Sequence, residues 1–376
     1  MSRRLLSLLA ALALFAGPAA FAAPAGVKLE TGEIEGAKFT IARPAHWNRC
    51  LLLIAHGYRE SQAPLVADLN PAHLAYRTLL DEGWMIAKTS YRRNGMIIHD
   101  AVADLENLRN YIAKTHGQPL RVILAGDSMG GAIVTLMAEQ SVESYQGAVA
   151  VDAALQAHEP NRNTSFNLQP RIPLVFLTNQ SELDGPRRYV TAPFDRPVRP
   201  VLLEVRRTGH VNVNQRERLA AIRALLALID HQPVALPSLD GGPIFFDATQ
   251  EPAPGPSQVR LLNDGGFEAR VTEVTAIFGN LALNAQPADF ARAEIAPGAW
   301  FELGTHGQTY RVLYGHDFTD VPRSQWIAFP NADGCFYLGR NHDNAAATAE
   351  LKEGDLVVIH RLPDAPSDSV AAPATP

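Results

Sequence analysis

Cysteine is nearly missing from the sequence, with only Cys50 and Cys335 in 376 residues. That excludes a disulfide-stapled scaffold and any paired-cysteine metal site. With free cysteine among the most buried residue types, two separate thiols are expected rather than a Cys50–Cys335 bridge. Blocks of lysine and arginine are also absent and the formal net charge is −6, which removes the electrostatic footprint that a nucleic-acid partner would need. No H-E-x-x-H spacing occurs among the 12 histidines, so neither a metal nor a cofactor is expected. Nowhere does an apolar run reach the roughly 20 residues needed to cross a bilayer. The longest, Leu5 to Phe15, follows Arg3 and Arg4 and leads into Ala20-Phe21-Ala22, the pattern of a secretory signal peptide over residues 1–22. The mature protein is therefore expected to be exported, periplasmic or secreted, with no integral membrane segment.

What remains is ordinary globular material, 47% hydrophobic and 19% charged, long enough for two domains. From Cys50 to Asp230, short apolar runs alternate with stretches of helical period. The runs are LLLIAHG, WMIAKTS, RVILAGDS, GAVAVDA, PLVFLTN and VLLEVRRTGH. Such alternation predicts an α/β fold, a mostly parallel sheet with flanking helices. Ile98, Val102, Leu105 and Ile112 mark one helix that stops at Gly117. Leu219, Ile222, Leu226 and Ile229 mark another, capped by Asn214. Residues 24–231 form this first unit, and the Pro/Gly-rich stretch 232–243 is a linker. A smaller, mostly β unit over 244–362 follows, because its segments are short and alternating. The last residues, 363–376, are too poor in apolar side chains to order.

One stretch carries chemistry. In VILAGDSMGGAIV a buried-strand run ends at Gly126-Asp127-Ser128-Met129-Gly130, and a helical period begins directly after. A nucleophile held on a sharp strand-to-helix turn needs small residues two positions either side, and Gly126 and Gly130 supply them. No lysine is present to make this a phosphate loop. Serine needs a base, and the base needs an orienting acid. His210, at a strand end in RRTGH, is the candidate base. For the acid, TNQSELDGP offers two carboxylates. The Asp-Gly-Pro turn favours Asp184, with Glu182 the alternative. Negative charge on the attacked carbonyl requires two backbone N–H donors, expected from Met129 and from Tyr58 in the loop after the LLLIAHG strand. Tyr91-Arg92-Arg93 at another strand end is left without a role.

Over roughly Ala37 to Asp230 the chain resembles the α/β-hydrolase superfamily, and TSYRRNG, GDSMGG, TNQSELD and RRTGH resemble its secreted esterase-like members. That resemblance implies an exported serine hydrolase acting on a small-molecule ester through an acyl-enzyme. A peptidase or amidase on the same scaffold is the first rival. A non-catalytic binding protein working through its C-terminal unit is the second. Between VAVDAAL and IPLVFL, where many relatives insert a lid, the chain is short, which implies an open site. From about Val271 to His360, the pieces FGNLALN, TYRVLYG and GCFYLGRNHDNAAATAELKEGDLVVI resemble the C-terminal domain of SAM hydroxide adenosyltransferases. In that family the domain is a small β-barrel-like module that helps bind an adenosyl group and makes subunit contacts. The partner domain that contributes most of that site has no counterpart here. The module is therefore expected to act as a substrate rim or as a homo-oligomer contact.

Overall fold

A computed structural model describes residues 24–140, 144–160, 162, 164–193, 198–232, 244–246 and 256–362. The stretches read as signal peptide and tail, and all of the linker but Gln232, lie outside them. Among the described residues no helix is long and apolar enough to cross a membrane.

The first unit is built on a nine-stranded sheet. Its strands are β1 (Val27–Ile34), β2 (Ala37–Pro44), β3 (Cys50–Ala55), β4 (Met85–Thr89), β5 (Arg121–Asp127), β6 (Gly147–Val151), β7 (Leu174–Asn179), β8 (Val201–Val205) and β9 (Ile244–Phe246). They lie side by side in the order β1-β2-β4-β3-β5-β6-β7-β8-β9. From β4 onward every neighbour is parallel, while β2 runs antiparallel to both β1 and β4. Parallel neighbours need crossovers. Five helices supply them: α1 (Leu74–Asp81), α2 (Ile98–His116), α3 (Met129–Gln140), α4 (Asp184–Val190) and α5 (Gln215–Ile229).

Because successive strand residues face opposite sides, an apolar run such as Leu51-Leu52-Leu53-Ile54 feeds two cores at once. Leu51 and Leu53 pack with Ile98, Leu105, Ile112 and Ile133 of α2 and α3. Leu52 and Ile54 pack with Leu79, Ile222 and Leu225 of α1 and α5. The helix stops follow the sequence. Gly117 leaves α2 at φ 105°. Asn214 caps α5 by accepting the Glu217 N–H at 2.8 Å, and Glu217 returns a bond to the Asn214 N–H.

Ile244–Phe246 departs from expectation. These residues were to open the second unit, but they pair with Leu203–Val205 as the edge strand of the first sheet. An apolar triplet finds a partner across the linker where β8 would otherwise be an open edge.

The second unit contains β10 (Arg260–Leu261), β11 (Phe267–Val274), β12 (Leu281–Leu283), β13 (Trp300–Thr305), β14 (Gln308–Tyr314), β15 (Trp326–Pro330), β16 (Phe336–Arg340) and β17 (Leu356–Arg361). β11 pairs with both β12 and β17, so seven strands close into a barrel, and β10 pairs with the start of β11. His306 and Gly307, with φ of 47° and 74°, make the tight turn between β13 and β14. A short helix, α6 (Pro287–Arg292), sends Phe290 into the interior, where its ring stacks on Phe336 at 3.9 Å and meets Phe267, Phe301 and Tyr314. Phe290→Ala is expected to destabilise this barrel by about 3–5 kcal/mol, the usual cost of removing a fully buried aromatic ring. Urea unfolding followed by tryptophan fluorescence, with Trp300 and Trp326 reporting on this unit, measures it. A loss under about 1 kcal/mol would contradict Phe290 as the barrel's central plug.

Candidate active site

The residue at the C-terminal end of β5 adopts a conformation that L-residues avoid: Ser128 has φ 56°. Strain of this kind persists only where the surroundings impose it, and here the backbone does. A side chain on Gly126 would collide with the carbonyl of Gly130, and one on Gly130 with the carbonyl of Ala55 at the end of β3. On Gly131 a Cβ would lie 2.8 Å from the Ala153 Cα. Four backbone segments thus meet at the serine with no room for a methyl group between them. Ser128 also donates its N–H to the Val151 carbonyl at 2.9 Å, and its own carbonyl accepts from Ala132 and Ala154.

His210 stands on the loop after β8. Its Nε2 lies 2.8 Å from Ser128 Oγ, and its Nδ1 lies 2.8 and 2.9 Å from the two carboxylate oxygens of Glu182. Glu182, on the loop after β7, is the carboxylate against the imidazole. Asp184, the acid favoured from sequence, is not. It is exposed in the first turn of α4, where Asp-Gly-Pro starts a helix instead of a loop turn. Proline is tolerated there and a carboxylate suits the positive end of the helix dipole.

Tyr58 and Met129 flank the serine from the two expected directions. The chain at Gly57 runs so close that a Cβ there would lie 3.3 Å from Ser128 Cβ. Met129 is the first residue of α3. Among the described residues neither backbone N–H has a protein acceptor. The Tyr58 ring points outward, its hydroxyl donating to Glu60 at 3.2 Å.

Two titratable groups that motif reading passed over lie buried beside this set. Asp152, one residue past β6, is 1% exposed, and its carboxylate accepts N–H bonds from Asn179 and Val211 at 2.7 and 2.6 Å. Its pKa is raised to about 7: burial and, less strongly, the nearby Glu182 charge push it up, against the lowering effect of the two N–H bonds and of His210. The available signal was a lone acid ending an otherwise apolar run, GAVAVDA. His56, just before Gly57, is 5% exposed and stacks on Tyr91 at 4.0 Å. Its ring nitrogens face the Gly57 and Ser90 carbonyls, yet burial, with Arg59 and Lys88 adding to it, holds the imidazole neutral with a pKa of about 3. The Arg92-Arg93 pair is engaged too, with Asp104 and Asp100 of α2. Cys50 and Cys335 are unpaired and belong to different units.

The site is open. Between β6 and β7 the described residues form no helix, and the His210 side chain is half exposed. Beside it, between the two units, lies a cavity of about 1010 Å³. The first unit lines it with Asp68, Lys88, His210 and Arg218, and the barrel with Glu273 of β11 and the loops that carry Phe318 and Asp333. The Gln215 N–H donates to Asp333 at 2.9 Å and His73 bonds Glu273 at 3.3 Å across this boundary.

Residues 89–188, which hold Ser128 and Glu182 but not His210, match the family model described as serine aminopeptidase, S33. With the sheet order and the serine turn above, that match fixes the fold. The first unit has the α/β-hydrolase fold. Residues 275–358 match the SAM hydroxide adenosyltransferase C-terminal domain, so a barrel of that type follows the α/β-hydrolase fold. Over 136 residues the chain is 29% identical to an o-phthalyl amidase of Xanthobacter agilis, a stretch covering 35% of this chain and only 27% of that protein. Among solved structures it is similar to the acylaminoacyl peptidase of Pyrococcus horikoshii, at 9% identity and TM-score 0.39 over 55% of this chain and 41% of that one. It is also similar to an esterase of Pyrococcus furiosus, at 13% identity and TM-score 0.37 over 49% and 84%.

Neutral, buried His56 has a consequence for acid stability. Its folded pKa of about 3 lies below the unfolded value of 6.5, so as pH falls the unfolded chain takes up the proton first. The stability it contributes is present above pH 6.5 and drains away down to about pH 3. In His56→Asn, which cannot take the proton, the urea midpoint is expected to fall less steeply over that window than in the wild type. Parallel curves would mean that His56 is not held neutral.

Proposed function

We propose that the α/β-hydrolase unit is a serine hydrolase that cleaves carboxylic esters through an acyl-enzyme. The observation that carries this reading is the continuous contact from Glu182 through His210 to Ser128, with each distance at 2.8 or 2.9 Å. Glu182 holds the imidazole with Nδ1 protonated, which leaves Nε2 free to take the Ser128 proton as Oγ attacks the carbonyl carbon. The resulting oxyanion accepts from the N–H groups of Tyr58 and Met129, with the positive end of α3 behind them. Collapse of the tetrahedral intermediate breaks the bond to the alcohol, which leaves with the proton returned by His210. Water, deprotonated by the same His210, then attacks the acyl group and frees Ser128.

An amide substrate is the second reading. It has specific support in the amidase of Xanthobacter agilis, whose similarity covers 35% of this chain. Both reactions use one set of residues and differ in how well His210 protonates the leaving group. In either, the barrel acts as a substrate rim, since its loops wall the cavity that reaches His210. Export remains the reading that Arg3, Arg4 and the apolar Leu5 to Phe15 support.

A fluorophosphonate probe is expected to label the wild type and to leave Ser128→Ala unlabelled. On a short-chain aryl ester, Ser128→Ala and His210→Ala should lose at least about 10³-fold in kcat. Glu182→Gln should lose of the order of 10²–10⁴-fold, because the amide no longer selects the required tautomer. Asp184→Asn is expected to stay within twofold of wild type. A wild type that folds and is not labelled would bring down the hydrolase reading and leave the binding-protein reading. Comparison of matched aryl ester and anilide rates separates esterase from amidase. Phe318→Ala, at the barrel wall, is expected to raise KM for bulky substrates severalfold while sparing the smallest esters. Equal effects on both would contradict a substrate rim.

A further inference from the structure

The end of β6 touches every part of the site. Val151 and Ala154 bond the backbone of Ser128 on either side of Asp152. Asp152 Oδ1 accepts from the N–H of Asn179, the last residue of β7 and three before Glu182. Its Oδ2 accepts from Val211, the residue after His210. Asp152, Glu182 and His210 each offer a carboxylate or ring atom, and those atoms all lie within 4.8 Å of one another. Fully buried Asn179 completes the latch. Its Oδ1 accepts from the Asn212 N–H at 2.9 Å, and its Nδ2 donates to the carbonyls of Arg207 and Asn212.

A carboxylate buried without a cationic side chain bonded to it is costly, so its presence asks for a reason. The donors supply one. Two N–H groups from different loops converge on one position, and the two oxygens of the Asp152 carboxyl group accept one each. We propose that Asp152 is a positioning residue of this hydrolase: it ties the Glu182 and His210 loops to the strand that holds Ser128, so the imidazole spans acid and nucleophile before substrate arrives. This rests on reading Ser128, His210 and Glu182 as catalytic.

The test is Asp152→Asn in the full-length protein. The asparagine has the same size and keeps one acceptor, but it turns an amide NH₂ toward the second N–H. Misplacement of about 1 Å costs of the order of 10²-fold. Both kcat on an aryl ester and the fluorophosphonate labelling rate per folded molecule are therefore expected to fall about that much, with KM within about twofold. The low-field proton resonance of the His210 Nδ1–H bond to Glu182 should broaden or vanish. A lower unfolding midpoint with an unchanged rate per folded molecule and an unchanged resonance would overturn the proposal, since a merely structural group gives that pattern. Should the asparagine variant fold poorly, Asp152→Ser carries the same measurements. Wild type inert to the probe removes the hydrolase reading and this proposal together. Wild type and variant labelled equally fast removes the proposal alone.

Discussion

Everything at the proposed catalytic end of this molecule depends on how closely four backbone segments approach at Ser128. Gly126, Gly130 and Gly131 let β5, the start of α3, the end of β3 and the segment after β6 crowd together, and the crowding holds Ser128 at φ 56°. That lifts the serine to the C-terminal edge of the sheet, where the loops after β7 and β8 can reach it. The fold pays for the strain with two extensive cores, one on each face of the sheet. A rigid foundation of this kind lets the half-exposed His210 hold a defined position over Ser128.

The loops are held from behind rather than from above. Where a lid would otherwise restrain the histidine, Asn179, Asp152 and Ser181 bond the backbone of the 207–212 segment. Restraint from within leaves the solvent side clear. The large cavity beside His210 therefore opens directly onto the second unit.

Much of this was legible in the sequence, for identifiable reasons. The alternation of apolar runs with helical periods is a local signal, and so are Asn214 as a cap and Gly117 as a stop. Gly-x-Ser-x-Gly reports a steric need within five residues. His210 could be found because a strand end and a glycine flank it. Choice of the acid was harder, since Asp184-Gly185-Pro186 reads equally as a loop turn or as the first turn of a helix. Glu182 meets the imidazole through a contact 28 residues apart in sequence, which no local pattern announces. Asp152 has no motif, because its two donors come from residues 27 and 59 positions away. The pairing of Ile244–Phe246 with β8 was equally hidden, since three apolar residues do not name their neighbour.

Closure of the barrel has an effect on how this protein can change over generations. With β11 joined to both β12 and β17, the seven strands satisfy one another and leave no unpaired edge among them. The segments around Thr275–Asn280, Tyr314–Thr319 and Phe329–Asp333, which face the cavity, lie mostly outside that hydrogen-bonded frame. Substitutions and insertions there can remodel the chamber next to His210 without disturbing either sheet. On the proposed reading of the barrel as a substrate rim, a stable scaffold is thereby separated from drift in what the chamber accepts, and preference can diverge while the core stays the same.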